Sequence, residues 1–100
     1  MAMIFKIEYI SAFHADISNV ANNLKDYPQK AKRIFEKLDR ALRNLAEMPE
    51  IYPIYEYVPV FRKIIIEDYL LFYYINEMDG IIEIHRLIYG RMDIKNQLGV

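Results

Sequence analysis

Few side chains in this sequence could do chemistry, and their types exclude several kinds of site. The 100 residues contain no cysteine, which removes disulfides, thiolate nucleophiles and thiolate metal ligands. The two histidines, His14 and His85, lack partners at a metal-ligand spacing such as His-x-x-x-His. We therefore expect no metal and no cofactor, and Gly90, a single glycine, does not make a phosphate loop.

The remaining candidates are cations and tyrosines. The net charge of −1 gives no warrant for a nucleic-acid or membrane partner. The nine tyrosines are unusual for this length and favour an interface as well as a core, because each combines a large apolar body with a polar tip. Tyr69, Tyr73, Tyr74 and Tyr89 are typical of cross-strand packing, with one tyrosine acting on a substrate as the alternative.

The stretch from Phe61 to Gly90 must position these residues. It is rich in β-branched and aromatic residues, which predicts three antiparallel strands, at about residues 60–67, 69–76 and 81–89. The second connection ends in Asp79-Gly80, a pair that tolerates the positive φ angles of a hairpin loop.

The first half of the chain predicts one strand and two helices. Residues 3–10 alternate with period two, and Ser11 stands where a helix N-cap would. An apolar stripe predicts a helix over residues 12–25, and Asp26-Tyr27-Pro28 ends it. A second helix follows over residues 28–48, with Pro28 at its first position. The order is β-α-α-β-β-β, an α+β fold in which the helical hairpin packs on one face of the sheet.

The second helix also has a basic face. It carries six cations against three acids, a pattern typical of a solvated face supported by pairs such as Glu36–Arg40. The cations are Lys30, Lys32, Arg33, Lys37, Arg40 and Arg43.

The third strand of the fold is apolar on both sides, which predicts an uncovered patch. Leu70, Phe72 and Tyr74 alternate with Leu71, Tyr73 and Ile75, and two helices can cover only one of these sets. An exposed apolar face of that size usually marks a partner. Residues 49–59 are expected to form an extended loop to the far side of the sheet, and residues 91–100 a short tail or frayed helix.

Composition gives no sign of a second domain, a leader or a membrane anchor. We expect one domain over residues 1–100, because this length suits a single core. No apolar run reaches the length of a signal peptide or a membrane helix. The expectation is a soluble protein in the cytoplasm.

The joint order of these elements and several short motifs resembles the RelE/ParE superfamily of bacterial toxins over roughly residues 4–98. The motifs are a Met-Pro loop after the second helix, Phe61-Arg62-Lys63, Asp68-Tyr69-x-x-x-Tyr73, and Ile84-x-Arg86-x-x-Tyr89-Gly90-Arg91-x-Asp93. The resemblance implies the toxin half of a type II toxin–antitoxin, or plasmid stabilisation, module with a cognate antitoxin. A homodimer and a toxin–antitoxin heterotetramer both stay open, and the basic helix face could contact an acidic antitoxin segment.

Two mechanisms compete within that superfamily. RelE-type members cleave messenger RNA on the ribosome with a cluster of polar side chains on the sheet and tail, whereas ParE-type members block DNA gyrase. The position of a common phosphate-binding arginine falls on Leu70, and Met92 follows Arg91 where a nuclease would place another catalytic side chain. These departures favour the ParE-like branch. A nuclease would have to use Arg62, Arg86, Tyr89 and Arg91, with His85 beside them, and a catalytically degenerate toxin-fold binding protein is the third alternative.

Each basic candidate on the strands also has a structural explanation. Arg62 could pair with Glu67, Asp68 or Glu83. His85 and Arg86 should point to opposite faces of their strand, since strand side chains alternate, unless a bulge intervenes.

Overall fold

The computed structural model describes residues 4–91 and 93–99. Its elements follow the order predicted from the sequence, with one short helix added at the end, and the α+β class is confirmed. They are β1 (Lys6–Tyr9), α1 (Ser11–Asn23), α2 (Pro28–Glu47), β2 (Arg62–Ile66), β3 (Tyr69–Asn76), β4 (Ile81–Tyr89) and α3 (Ile94–Gln97). None of the helices in these residues is long and apolar enough to cross a membrane.

The four strands form one mixed sheet in the order β1-β4-β3-β2. The last three make the predicted antiparallel meander, and β3 and β4 have the predicted bounds. β1 runs parallel to β4 and pairs Lys6–Tyr9 with Ile81–Ile84. Because β1 ends opposite Ile84, the outer edge of β4 beyond that residue has no strand beside it, and α1 lies there instead.

The two hairpin turns use positive φ angles in different ways. Gly80 has φ 65°, as the Asp-Gly pair predicts. In the β2–β3 turn the non-glycine residue Glu67 has φ 54°. Such a conformation costs about 1–3 kcal/mol and persists where its surroundings hold it. The Glu67 carboxylate lies 3.1 Å from Lys37 and 3.8 Å from Arg33 of α2.

The start of α1 differs from the prediction. Ser11 is the first helical residue rather than the N-cap, which is Ile10, and no side chain caps the helix. The reason is that Ile10 still belongs to the sheet edge, where its N–H donates to Ile84 O at 3.0 Å. The Ile10 carbonyl then accepts a bond from Phe13 N–H, so the chain passes from strand to helix without a linker.

The helical hairpin covers one face of the sheet, as predicted, and the main core lies between them. Its fully buried members come from α1, α2, β2, β3 and β4. They are Phe13, Val20, Ile34, Leu38, Ala41, Leu45, Ile64, Ile66, Leu71, Tyr73, Ile82, Ile84 and Leu87. The β3 side chains that face the helices are therefore those of Leu71, Tyr73 and Ile75.

The prediction of an uncovered second face is wrong. Residues 48–61, called the covering loop below, cross that face and bury Tyr55, Val58 and Phe61 against Phe72 and Ile88. Phe72 is fully buried. The loop is fastened to β2 by a hydrogen bond from Lys63 N to Pro53 O (3.0 Å), and within the loop Tyr55 N donates to Phe61 O (2.9 Å). β2 therefore begins at Arg62, two residues later than predicted.

The tail completes this second core. α3 places Ile94 and Leu98 against it, beside Leu70 and Tyr74 of β3. From the sequence this segment was expected only to form a short tail or frayed helix. Together the covering loop and α3 give the sheet its own cover on the side away from the helices. Of the residues discussed from sequence, Met3 and Met92 lie outside the described part of the chain.

Candidate functional site

A cleft of about 370 Å³ opens at the end of the sheet where β3 begins and β4 ends. It lies between α1, the first turn of α2 and the two central strands. Its polar and aromatic lining residues are Asp16, Asn19, Asn23, Lys30, Asp68, Tyr69, Arg86, Tyr89 and Gln97. Two cations and two carboxylates therefore share one concave surface.

The deepest group in this cleft is the carboxylate of Asp16 on α1. It is the one buried polar or charged residue in the described ranges 4–91 and 93–99. Arg86 Nε donates to its Oδ2 at 2.7 Å, Arg86 Nη2 donates to its Oδ1 at 2.9 Å, and Leu87 N–H donates to Oδ2 at 2.9 Å. The last bond satisfies the β4 edge that β1 leaves open. The hydrogen bonds to Asp16 also raise the pKa of Arg86.

Arg86 also holds the tail. Its Nη1 donates to the backbone carbonyl of Gln97, and its Nη2 lies 3.5 Å from Gln97 Oε1. One guanidinium thus joins α1, β4 and α3. A planar guanidinium with five donors suits this role, because it can satisfy a carboxylate bidentately and still reach a third acceptor.

A second ion pair lies on the rim of the cleft. Lys30 Nζ of α2 lies 2.8 Å from Asp68 Oδ2 in the β2–β3 turn. The hydrogen bond to Asp68 and its charge raise the pKa of Lys30, and the same interactions lower the pKa of Asp68. Both groups are largely exposed, so this pair contributes little to stability and mainly fixes the turn against α2.

Two tyrosines form the wall opposite these charges. Tyr69 and Tyr89 are direct cross-strand partners, and their ring centroids lie 5.6 Å apart. Burial raises the pKa of Tyr69, so its hydroxyl stays protonated at neutral pH. Tyr89 is 40% exposed and reaches solvent.

The structure places two of the four predicted catalytic residues in the cleft and a third, Arg91, close enough to its rim that the charge of Arg91 helps to lower the pKa of Asp68. Arg86 and Tyr89 share the cleft, whereas Arg62 pairs with Tyr73 near the opposite end of the sheet. Tyr73 stands four residues along β3 from Tyr69, a separation of about 13 Å at 3.3 Å per residue. Arg91 follows β4 as an exposed residue.

Arg62 does not pair with the acidic residues proposed for it. Its Nη1 donates to Tyr52 O at 2.8 Å and lies 3.5 Å from Glu50 O. Beside it, the hydroxyl of Tyr73 donates to Pro49 O at 2.7 Å. Arg62 therefore fastens the covering loop, because backbone carbonyls of that loop take up its donors.

The bulge considered for His85 and Arg86 is present in β4. Phe72 pairs with Arg86 and Tyr73 with Ile84, so His85 has no partner on β3. The extra residue bends β4 and re-aims the side chains on either side of it. His85 packs edge-on against Phe61 of the covering loop at 4.8 Å, with Nε2 3.6 Å from Glu83, while Arg86 turns to α1.

The basic face of α2 is largely paired. Lys32 pairs with Glu36 and Asp39 with Arg43 at i,i+4 spacing, while Lys30, Arg33 and Lys37 reach the β2–β3 turn. The predicted Glu36–Arg40 pair does not form, since Glu36 lies nearer Lys32. Arg40 makes none of the ion pairs in the described ranges.

Sequence reasoning missed Asp16, although a signal was present. Asp16 lies three residues after Phe13 and four before Val20, which puts it on the apolar stripe of α1. A carboxylate at such a position is almost never buried without a partner, so it predicts a buried cation elsewhere in the chain. The Lys30–Asp68 pair had no comparable signal, because both residues sit at exposed ends of elements.

The charged side chains of this cleft are paired with one another. Both of its cations are already engaged by carboxylates, and neither tyrosine is close to a free base. On the face of the sheet that bears Leu70 and Phe72, apolar side chains of the covering loop and α3 fill the space.

The strand order and the helical hairpin on one face of the sheet are those of a toxin fold of the RelE/ParE superfamily. The family model of the ParE toxin of the type II toxin–antitoxin system parDE matches residues 7–94. This chain belongs to that family. A solved chain of the chromosomal ParDE toxin–antitoxin system from P. aeruginosa is similar in fold, with a TM-score of 0.70 and 14% sequence identity. The match covers 88% of this chain and 98% of that one. No curated protein matches the sequence.

Proposed function

We propose that this member of the ParE family acts by inhibiting DNA gyrase and that a cognate antitoxin neutralises it. The observation that carries the proposal is the packed second face of the sheet. A ribonuclease of this superfamily needs polar groups on the sheet and tail, whereas here Tyr55, Val58 and Phe61 bury Phe72 at that place. A protein that binds its target needs no such catalytic set.

The positions of the cations support the same proposal. Cleavage of RNA through the ribose 2′-hydroxyl requires a base, an acid and cations around one phosphate. Arg62 is bound to loop carbonyls and Arg86 to Asp16, on different parts of the sheet. Withdrawing Arg86 for a phosphate would leave the buried Asp16 carboxylate without its counter-charge, and withdrawing Arg62 would release the partly buried carbonyl of Tyr52, where an unsatisfied group costs about 1–3 kcal/mol.

The alternative is a RelE-like ribosome-dependent ribonuclease, and one observation favours it. Arg86 and Tyr89 do share the cleft, with Lys30 on its rim. In that case Arg62, Arg86, Tyr89 and Arg91 stay the candidate catalytic residues. A degenerate toxin fold that only forms complexes would show neither activity.

The antitoxin has a suitable surface beside β2. A groove of about 290 Å³ is lined by Ile64–Ile66 and by Lys37, Arg40 and Asn44 of α2. Since Lys63 N–H points away from β3 toward Pro53, alternation makes Ile65 N–H point outward as well, beyond the reach of the loop. An extended acidic segment could pair with this edge and place its carboxylates on the α2 cations.

The test is a supercoiling assay with purified gyrase and relaxed plasmid. The proposal expects inhibition by the toxin and its reversal by an equimolar amount of the protein encoded beside it. Primer extension on messenger RNA after induction tests the alternative. Gyrase that stays fully active at micromolar toxin excess, together with new cleavage ends in messenger RNA, would replace the proposal with the ribonuclease.

A further inference from the structure

The covering loop displays a row of apolar side chains to solvent. Five of the eleven large apolar residues exposed in the described ranges lie in it. They are Met48 (53% exposed), Ile51 (50%), Ile54 (52%), Tyr57 (69%) and Val60 (55%). Singly exposed apolar residues are ordinary, but a group confined to one short segment marks an interaction surface.

These residues recur at every third position, and the local structure explains why. Ile51 N–H donates to Met48 O, Val58 N–H to Tyr55 O and Phe61 N–H to Val58 O, which makes successive i to i+3 turns. Three prolines, at positions 49, 53 and 59, restrict the backbone between them. Between these turns the loop is extended, since Ile54 forms an antiparallel bridge with Arg62, and the repeat of three divides its residues into three sets, or faces.

The three faces have different compositions. The inward face holds Tyr55, Val58 and Phe61, which are buried in the second core, and Tyr52, which is half-buried against the main core. The outward face holds the five exposed apolar residues. The third face holds Glu50, Pro53, Glu56 and Pro59. The apolar row is thus separate from the residues that the second core requires.

The row is also held in place before any partner arrives. Arg62 and Tyr73 fix the first turns of the loop by donating to the carbonyls of Tyr52 and Pro49. Further along, the Pro53 carbonyl accepts a bond from Lys63 N–H, and the Phe61 carbonyl accepts one from Tyr55 N–H. A rigid surface loses little conformational freedom on binding, so more of its contact energy appears as affinity.

The charge around the row is acidic. Ile54, Val60 and Ile75 line a hollow of about 180 Å³ that has Glu77 on its rim. Glu50, Glu56 and Glu77 are exposed, and none of them belongs to an ion pair within residues 4–91 and 93–99. Arg62, at the same hollow, is engaged by loop carbonyls. Lys63 Nζ lies 5.7 Å from the centroid of the Tyr55 ring, and the α2 cations Lys37 and Arg40 line a different groove, so the exposed carboxylates beside this hollow complement a basic partner.

We propose that the outer face of the covering loop is the surface that binds the target, and that it binds a cationic, apolar region of gyrase. The inference rests on the proposed function. Enzymes that handle DNA present lysine and arginine to phosphates, and an acidic apolar protein surface can occupy such a region in place of DNA. The loop supplies the apolar anchors, and its third face supplies the carboxylates.

The experiment compares two matched double variants. Ile54→Ser with Tyr57→Ser removes anchors of the loop, and Ile4→Ser with Tyr27→Ser removes one isoleucine and one tyrosine that are also exposed but lie elsewhere (72% and 63%). Binding to the isolated gyrase subunits and inhibition of supercoiling are measured for both. We expect the loop variant to lose at least about 30-fold in affinity, as for two interface anchors, and the control to stay within threefold. Circular dichroism melting checks that both fold, and Tyr57→Ser alone replaces the double variant if it melts early.

A charge reversal gives the second readout. Glu56→Lys should weaken gyrase binding, with the loss greatest at low salt, whereas Asp26→Lys in the α1–α2 connection should not. Equal inhibition by wild type and both loop variants would overturn this assignment while leaving the proposed function intact. Loss of antitoxin binding with full gyrase inhibition would also overturn it, because the loop would then serve the antitoxin. A wild-type protein that neither binds nor inhibits gyrase would remove the proposed function and this assignment together.

Discussion

The carboxylate of Asp16 and the guanidinium of Arg86 meet through two hydrogen bonds, 2.7 and 2.9 Å long, across seventy residues of sequence. The same carboxylate accepts the Leu87 N–H at the open edge of β4. This one pair therefore holds α1 against the sheet and, through Gln97, holds α3 as well.

Removal of this carboxylate charge should be costly. Asp16→Asn leaves Arg86 partly buried without its counter-charge, and we expect a loss of about 3 kcal/mol in the free energy of unfolding. Asp39→Asn, which breaks the exposed pair with Arg43, should cost at most about 1 kcal/mol. Urea denaturation followed by circular dichroism measures both. Similar small losses in the two variants would mean that the Asp16 pair is not a structural anchor.

Truncation of a side chain in the second core should lower the free energy of unfolding as it does in any hydrophobic core. Phe72→Ala removes a fully buried ring under the covering loop and should lower the free energy of unfolding by about 3–5 kcal/mol. Ile65→Ala, on the same side of the sheet but 67% exposed, should change it by about 0.5 kcal/mol or less. If chemical denaturation shows equal effects for the two variants, the loop does not pack on this face.

Tyr73 should produce a distinctive response to alkali. Burial raises its pKa to about 12, so the folded protein keeps a phenolic proton that the unfolded chain releases near pH 10. Stability should therefore be full below about pH 10 and fall as the pH rises toward 12, because the unfolded state binds fewer protons there. Tyr73→Phe should flatten this fall and remove one late-titrating phenol from the ultraviolet absorbance titration. An unchanged titration would contradict the assignment.

The Lys30–Asp68 pair should act at both ends of the pH range. The lowered pKa of Asp68 adds stability above its ordinary value of 3.8 that is lost as the pH falls through the folded value. The raised pKa of Lys30 adds stability below its ordinary value of 10.5 that is lost as the pH rises through the folded value. Lys30→Met should raise the carboxyl pKa of Asp68 in an NMR titration. Lys25→Met, which removes a cation outside the described ion pairs, should leave it unchanged.

Restoration of one arginine should not create a nuclease. Leu70 stands where the nucleases of the superfamily commonly carry a phosphate-binding arginine, but here it packs beside Phe72 and Leu98 in the second core. Leu70→Arg should therefore destabilise the protein without producing new ends in primer extension on messenger RNA. New cleavage ends in this variant, absent from Leu70→Gln, would favour the ribonuclease alternative.

The fold was largely predictable from local patterns, and the parts that were not depend on distant contacts. The density of β-branched and aromatic residues, with Asp79-Gly80 as the turn, was enough for β3 and β4, and Pro28 was enough for the start of α2. The cover over Phe72 was missed because residues 48–61 repeat with period three, which neither a helix nor a strand pattern detects. The bulge at His85 follows from the pairing of β4 with both neighbours, which no single stretch contains.

The residues of the candidate site were likewise predictable only in part. Arg86 and Tyr89 could be singled out from motifs, but the partner of Arg86 lies in another element, and only the odd carboxylate on the α1 stripe hinted at it. The role of Arg62 was not predictable, since its acceptors are main-chain carbonyls, which are the same in every sequence.

The parallel pairing of β1 with β4 delays folding until synthesis is nearly complete. Lys6–Tyr9 must wait for Ile81–Ile84, and contacts between residues so far apart in sequence form slowly. A ribosome that stops before β4 releases a fragment without its central sheet. A chain that ends before β4 therefore cannot form the four-stranded sheet on which the cleft and both cores are built.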